Sequence, residues 1–268
     1  MTVSVYQFSP TGSTERIANA LARTLDPCAR IVKLAEPAVL TGDIASTLHE
    51  LAHETGQLKA ELAVFAVPVF GGRIPTPATE VLSYIQGNGI RAVSVVVYGN
   101  RDFDDALIEL NDILARQGFS VFASAAFIAQ HSMLPSVAAG RPDIDDIADA
   151  EAFARGIAAK LASARSSDTA SISDVVPGNR PHKELSAAGW VPAVSEACTR
   201  CGVCAARCPV QAIPADAPNT TGAACFECMR CVKVCPEHAR SLPDQVATMI
   251  SEKLAPIAGI RKPNLTWL

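Results

Sequence analysis

"VSVYQFSPTGSTERIANALARTL", residues 3–25, opens on a continuous apolar run, crosses a short loop rich in Ser, Thr and Gly, and resumes with Ile17, Leu21 and Leu25 at helical spacing. It reads as a strand, a tight loop and a helix. A strand this apolar on both faces belongs to a sheet covered from both sides. The unit recurs along the chain. "ARIVKLA" (29–35), "LAVFAVPVF" (62–70), "AVSVVVYG" (92–99) and "FSVFASAAFIA" (119–129) read as four more strands. Helical patterns lie between and after them. "TPATEVLSYIQ" (76–86) is one, and "DFDDALIELNDILARQG" (102–118) is another, with acidic residues in its first turn and Gly118 at its end. "DIDDIADAEAFARGIAAKLASA" (143–164) places Ile144, Ile147, Phe153, Ile157 and Leu161 on one face. The alternation predicts a doubly wound, five-stranded parallel sheet.

Around residue 165 the composition changes. "RSSDTASISDVVPGNRPHKE" (165–184) is polar and punctuated by Pro and Gly, as a linker is. The expected organisation is an α/β domain over 1–165, a linker over 166–190 and a small α+β module over 191–268, which carries a last helix at "PDQVATMISEKLA" (243–255) and the tail "RKPNLTWL" (261–268). A chain of 268 residues with 49% hydrophobic content can bury a full core, and its length fits one or two domains. The net charge of -4 gives no reason to expect nucleic acid or an anionic membrane as partner. The charge is uneven, however: up to Val176 there are 13 Lys and Arg against 20 Asp and Glu, and from Pro177 onward 10 against 7. The start, "MTVSVYQFSP", lacks the basic and apolar regions of a secretory signal, and no stretch is apolar for long enough to span a bilayer. A cytoplasmic location is expected. Reducing conditions there make clustered cysteines a sign of metal or redox chemistry.

Eight of the nine cysteines lie in two runs, "CTRCGVCAARCP" from Cys198 and "CFECMRCVKVCP" from Cys225. Cys198, Cys201, Cys204 and Cys208 are followed by Pro209. Cys225, Cys228, Cys231 and Cys235 repeat the spacing and are followed by Pro236. A zinc site would join two Cys-x-x-Cys pairs across a longer spacer, whereas here a third cysteine follows each pair directly. The pattern resembles the two-cluster bacterial ferredoxins over residues 196–241. That resemblance implies that the fourth cysteine of each run ligates the other cluster. One four-iron cluster would be held by Cys198, Cys201, Cys204 and Cys235, the other by Cys225, Cys228, Cys231 and Cys208. The ninth cysteine, Cys28, reads as a plain buried or partly buried thiol.

The loop "SPTGST" offers Ser9, Thr11, Gly12, Ser13 and Thr14 at the start of a helix, where amides and the macrodipole favour a phosphate. It has neither the lysine of an ATP-binding loop nor a dinucleotide fingerprint. S-x-T-G-x-T resembles the phosphate loop of flavodoxins, which holds the terminal phosphate of FMN; an ordinary Ser/Thr-rich helix cap is the plain alternative. In that topology the loops after the third and fourth strands flank the flavin. Here they are "PVFGGRIP" (68–75), with Pro68, Phe70, Gly71 and Gly72, and "YGNRDFDDA" (98–106), with Tyr98, Gly99, Asn100, Arg101 and Phe103. The glycines admit close backbone approach, Phe70 and Phe103 can contact the ring, and Asn100 can bond its pyrimidine edge. A glycine turn, core aromatics and Asp102 as a helix cap are the plain readings.

Taken whole, the chain resembles the fusion family in which a flavodoxin-like domain precedes a two-cluster ferredoxin module. The resemblance implies one FMN and two four-iron clusters, with electron transfer between them as carrier or reductase component, and a redox partner protein or small-molecule acceptor. A flavin-dependent reductase of a quinone, nitro compound or activated alkene is the first alternative, with His131 either a proton donor or structural. A redox or iron sensor is the second. Arg200, Arg207, Arg230 and Lys233 either offset the cluster charge, form a docking face, or are solvated surface charges.

Overall fold

In a computed structural model the described residues are 1–53, 60–163, 172, 175–185 and 189–268. The sheet contains β1 (Val3–Gln7), β2 (Arg30–Lys33), β3 (Leu62–Pro68), β4 (Arg91–Tyr98), β5 (Ser120–Ile128) and β8 (Leu265–Trp267), in the order β2-β1-β3-β4-β5-β8. The first five are parallel, with the chain reversing direction across the sheet between β1 and β3. This is the doubly wound order whose ligand crevice lies at the carboxyl ends of the strands. Each of β1 and β3 is buried along its whole length, as the continuous apolar runs require.

Two apolar layers cover the sheet. On one face α1 (Ser13–Leu25) and α6 (Ile144–Ser163) bring Ile17, Leu21, Phe153 and Ile157 against Val3, Val5, Val64 and Phe127. On the other, α4 (Thr76–Leu82) and α5 (Ala106–Arg116) pack Val81, Leu107 and Leu110 against Phe65, Val96 and Tyr6. Ile144, expected on the buried face of α6, is 83% exposed because it stands in the first turn, beyond the edge of the sheet. Two helices absent from the sequence reading, α2 (Pro37–Leu40) and α3 (Ile44–His53), follow β2. Their signals were present: Pro37 sits in the first turn of α2, and Asp43 accepts hydrogen bonds from the Ser46 amide at 3.2 Å and hydroxyl at 2.8 Å.

The expected five strands become six. The tail residues Leu265–Trp267 form β8, antiparallel to β5, with Trp267 opposite Ser124. Asn264 extends the pairing, its Oδ1 accepting from the Ile128 amide at 2.9 Å. The chain thus returns to its first sheet after the cysteine region. Between the two lie β6 (Ala193–Val194) and β7 (Arg240–Ser241), paired antiparallel, the short helices α7 (Val203–Ala206) and α8 (Arg230–Val234), and α9 (Asp244–Leu254).

Residues 175–185, read as the second half of a linker, are fixed to α5. Asp105 accepts from the Asn179 amide at 2.8 Å and the Lys183 amide at 2.7 Å, Arg180 forks onto Asp112 at 2.6 and 2.9 Å, and Lys183 reaches Asp104 at 2.7 Å. Asp105 stands at the N-cap of α5 but spends its carboxylate on this segment rather than on its own helix. Among the described residues no helix is long and apolar enough to cross a membrane.

Candidate functional site

The eight cysteines form two quartets. Cys198, Cys201, Cys204 and Cys235 line one cavity, beside Arg200, Pro218 and Arg240. Cys208, Cys225, Cys228 and Cys231 line the other, beside Ile213, Phe226 and Met229. Each cavity therefore draws three cysteines from one run and the last from the other. The sequence repeat is also a backbone repeat. Arg200 and Glu227 have φ of 56° and 61°, Gly202 and Met229 78° and 63°, Gln211 and His238 51° and 49°. Five of these six lack the freedom of glycine, and such residues hold left-handed conformations only where their surroundings over-determine them. The amides of Ala212 and Ala239, each four residues past the last cysteine of its run, donate to Cys208 Sγ at 3.2 Å and Cys235 Sγ at 3.3 Å. Cys28 takes no part; it is exposed, where a buried or partly buried thiol was expected.

Among the described residues no three His, Cys, Asp or Glu side chains are gathered as one metal ion requires. Burial pushes the Cys228 thiol up to about 12 and Cys231 up to about 11, and raises Cys225 too. Left to themselves these side chains are neutral thiols; only a cationic partner would turn them into thiolates.

The second run rests on the carboxyl end of the sheet. Phe226 stacks on Phe70, with centroids 6.0 Å apart, and meets Phe8 edge-on at 6.1 Å. Arg230 is 5% exposed. Its Nε donates to Pro10 O at 2.7 Å, Nη1 to Ala35 O at 2.7 Å and Arg207 O at 3.3 Å, and Nη2 to Ser9 O at 3.2 Å and Glu36 at 3.4 Å. Lys233 Nζ donates to Thr11 O at 2.6 Å. Of the four cations noted in the runs, Arg230 and Lys233 thus face the loop after β1, while Arg200 and Arg207 are exposed.

That loop opens into α1. Gly12 takes φ 90° and serves as N-cap, a conformation that favours glycine although a Cβ would meet nothing. Ser9 Oγ accepts from the Glu15 amide at 2.9 Å, and Thr14 is 1% exposed. The amides of Thr11, Gly12 and Ser13 meet no acceptor among the described residues.

In the loop after β3, which follows Pro68, Phe70 and Arg73 exchange backbone hydrogen bonds at 2.8 and 3.0 Å around Gly71 and Gly72. A Cβ on Gly72 would collide with Asp104. Arg73 forks onto Glu109 at 2.7 Å twice, which ties this loop to α5.

The loop after β4 is less available than expected. Tyr98 and Phe103 are core residues in edge contact at 5.4 Å, with Phe103 beneath Trp267 at 6.4 Å. Burial, followed by Asp102, pushes the Tyr98 hydroxyl up to about 12. Asn100 is fully buried, and its Nδ2 donates to Ile260 O at 2.8 Å and Ile257 O at 3.3 Å. Arg101 pairs with Asp104, and its carbonyl accepts from Lys262. Asp102 Oδ1 accepts from the Asp104 amide at 3.2 Å, a local turn in place of a helix cap.

Three buried side-chain atoms at this end of the sheet lack partners: Asn100 Oδ1 and both amide atoms of Gln7. Orphaned acceptors and donors at the mouth of a doubly wound sheet fit a polar ligand. Next to Thr11, Gly12 and Ser13 a cleft of ≈ 400 Å³ is bounded by Arg16, His131, Arg141 and, across from them, Met229 and Lys233. His131 packs against Gly99. Its Nδ1 accepts from the Met133 and Leu134 amides at 3.3 and 3.2 Å, so the neutral ring carries its proton on Nε2. Burial, with Arg101 nearby, pulls its pKa down to about 4.

No protein-family model and no curated protein matches the chain. Among solved structures, a flavodoxin of Streptococcus pneumoniae TIGR4 is 21% identical, covering 60% of this chain and 99% of its own, with a TM-score of 0.41. Flavodoxin 2 from Bacillus cereus is 16% identical over 60% of this chain and 99% of its own, with a TM-score of 0.42. A flavone reductase is 11% identical over 61% and 64%, with a TM-score of 0.45.

Proposed function

We propose that the protein is an electron-transfer protein that joins FMN to two four-iron clusters, working as a carrier or as the reductase component of a larger cytoplasmic system. The observation that carries this reading is the seating of residues 226–233, inside the second cysteine run, on the loops after β1 and β3. Bound in these sites, FMN supplies two-electron and one-electron chemistry and the clusters supply one-electron chemistry. The loop Ser9–Thr14 would hold the phosphate through the amides of Thr11, Gly12 and Ser13. Phe70, Gly71 and Gly72 would border the ring, and Asn100 Oδ1 and Gln7 would meet its polar edge. Each quartet offers one thiolate per iron corner, which spreads four sulfurs more widely than a single ion does. A flavin bordered by Phe70 would be nearer the quartet of Cys208, Cys225, Cys228 and Cys231, whose cavity Phe226 lines while stacking on Phe70.

Purified without oxygen, the protein is expected to contain about one FMN and about eight iron with eight sulfide. On rapid mixing with a one-electron donor that reacts with the clusters, FMN should be reduced promptly. In a variant without clusters that keeps FMN, the route should slow greatly. Zinc without sulfide, or equally fast flavin reduction without clusters, overturns the reading.

A second reading is favoured by the cleft beside His131. Its volume is that of a small-molecule site, and His131 lines it, so the protein would be a flavin-dependent reductase fed by its own clusters. Turnover of a quinone or nitro compound, with loss on His131→Asn, would select it over the carrier.

A further inference from the structure

The loop between β1 and α1 contains no cation of its own, yet three successive carbonyls in it are taken by cations from the second cysteine run. Arg230 holds Ser9 O and Pro10 O, and Lys233 holds Thr11 O. Across a trans peptide the N–H of one residue points opposite to the carbonyl of the residue before it. Holding the Pro10 and Thr11 carbonyls on Arg230 and Lys233 therefore fixes the direction of the Thr11 and Gly12 amides, which meet no acceptor among the described residues and stand at the edge of the ≈ 400 Å³ cleft that Thr11, Gly12, Ser13 and Lys233 border. Arg230 brings more than direction. Its guanidinium is buried, its contacts are four carbonyls and the partly exposed Glu36, and a buried cation raises the potential at a nearby anion site more than an exposed one does. It is also tied to the second quartet through the chain, being adjacent in sequence to Cys231 and bonded to the carbonyl of Arg207, the neighbour of Cys208.

We infer that Arg230, assisted by Lys233, is a positioning residue that presets the loop Ser9–Thr14 for a phosphate monoester, so that anion affinity at α1 and occupancy of the Cys208, Cys225, Cys228 and Cys231 quartet are coupled. The inference deepens the flavin reading and rests on it for the identity of the monoester. Coupling of this kind is reciprocal: whatever factor the filled quartet adds to phosphate affinity, bound phosphate adds to the affinity of the quartet for iron and sulfide.

The test uses the full chain, made without oxygen, in wild-type form and as Arg230→Gln, Arg230→Lys and Cys228→Ser. Three probes are titrated into each: FMN, riboflavin and inorganic phosphate. Arg230→Gln and Cys228→Ser should each weaken FMN and phosphate by about 5- to 150-fold, the range of ordinary coupling between sites, and leave riboflavin unchanged. Arg230→Lys should restore part of the loss. A merely structural role would weaken FMN and riboflavin alike, and that outcome overturns the inference. So does unchanged FMN and phosphate binding in Arg230→Gln. Wild-type protein that binds phosphate but not FMN sinks the flavin reading while the coupling stands if Arg230→Gln still loses phosphate. Binding of neither overturns both.

Discussion

At the scale of single residues, Cys208 and Cys235 divide the two cavities between the runs. Each stands beside the sulfurs of the other run and accepts an amide hydrogen bond four residues further on. Cys208→Ser is expected to damage the cluster of Cys225, Cys228 and Cys231 and to leave that of Cys198, Cys201 and Cys204 nearly intact, as resolved spectra of the reduced clusters would reveal. Loss of the opposite cluster would reverse the assignment. His131 makes a prediction in pH. Its folded pKa of about 4 lies below its ordinary value of 6.5, so between those values the unfolded chain binds more protons and stability falls as pH falls. Above 6.5 the group contributes no slope. His131→Asn, whose Oδ1 can still accept from residues 133 and 134, should flatten urea-denaturation stability between pH 6.5 and 4; an unchanged slope would place the titration elsewhere. The cysteine spacing was legible in the sequence because three members of each quartet lie within seven residues of one run, the fourth coming from the other run. The role of Arg230 was not, since nothing local says which carbonyls a buried guanidinium will find across more than two hundred positions.

At the scale of elements, the inner parallel strands were readable because strands buried on both faces must be almost continuously apolar, as β3 is throughout and β4 is but for Arg91 and Ser94, whereas only Val32 of β2 is buried. β8 was not readable: three residues, Leu265, Thr266 and Trp267, carry no period, and only the register against β5 makes them a strand. The same tail explains why the loop after β4 departs from its reading. Asn100 is held by Ile257 and Ile260, and Phe103 lies under Trp267. Arg141, paired in the interior with Asp146, also donates to Lys262 O at 2.9 Å, and Asn264 Nδ2 donates to Asp146 at 2.9 Å. Burial alone would raise the Asp146 carboxyl, but the hydrogen bonds from Arg141, the Asp143 amide and Asn264, with the charge of Arg141, together outweigh it and lower the pKa. Trp267→Ala is expected to cost about 2 kcal/mol in urea denaturation, less than for a fully buried Trp. Removing residues 265–268 should in addition free the β5 edge and promote self-association in sedimentation. A monomer of undiminished stability would mean that β8 is ornamental.

At the scale of the whole molecule, composition divides the sequence in two, with the polar stretch after residue 164 separating the apolar alternation from the cysteine runs. What composition could not convey is how tightly the parts are joined. Asp105 and Asp112, which look like ordinary acidic residues at the cap and within one helix, anchor residues 179–183, and the tail beyond α9 closes on the sheet that the chain had left. This return has a consequence for biosynthesis. Domains take shape from the N-terminus during translation, so β1 to β5 can assemble before any of the eight clustered cysteines leaves the ribosome, whereas β8 emerges only after all of them. At about 5–20 residues per second the interval is on the order of ten seconds. During that time nascent chains carry a sheet with one open edge, which only the arrival of the last short strand closes.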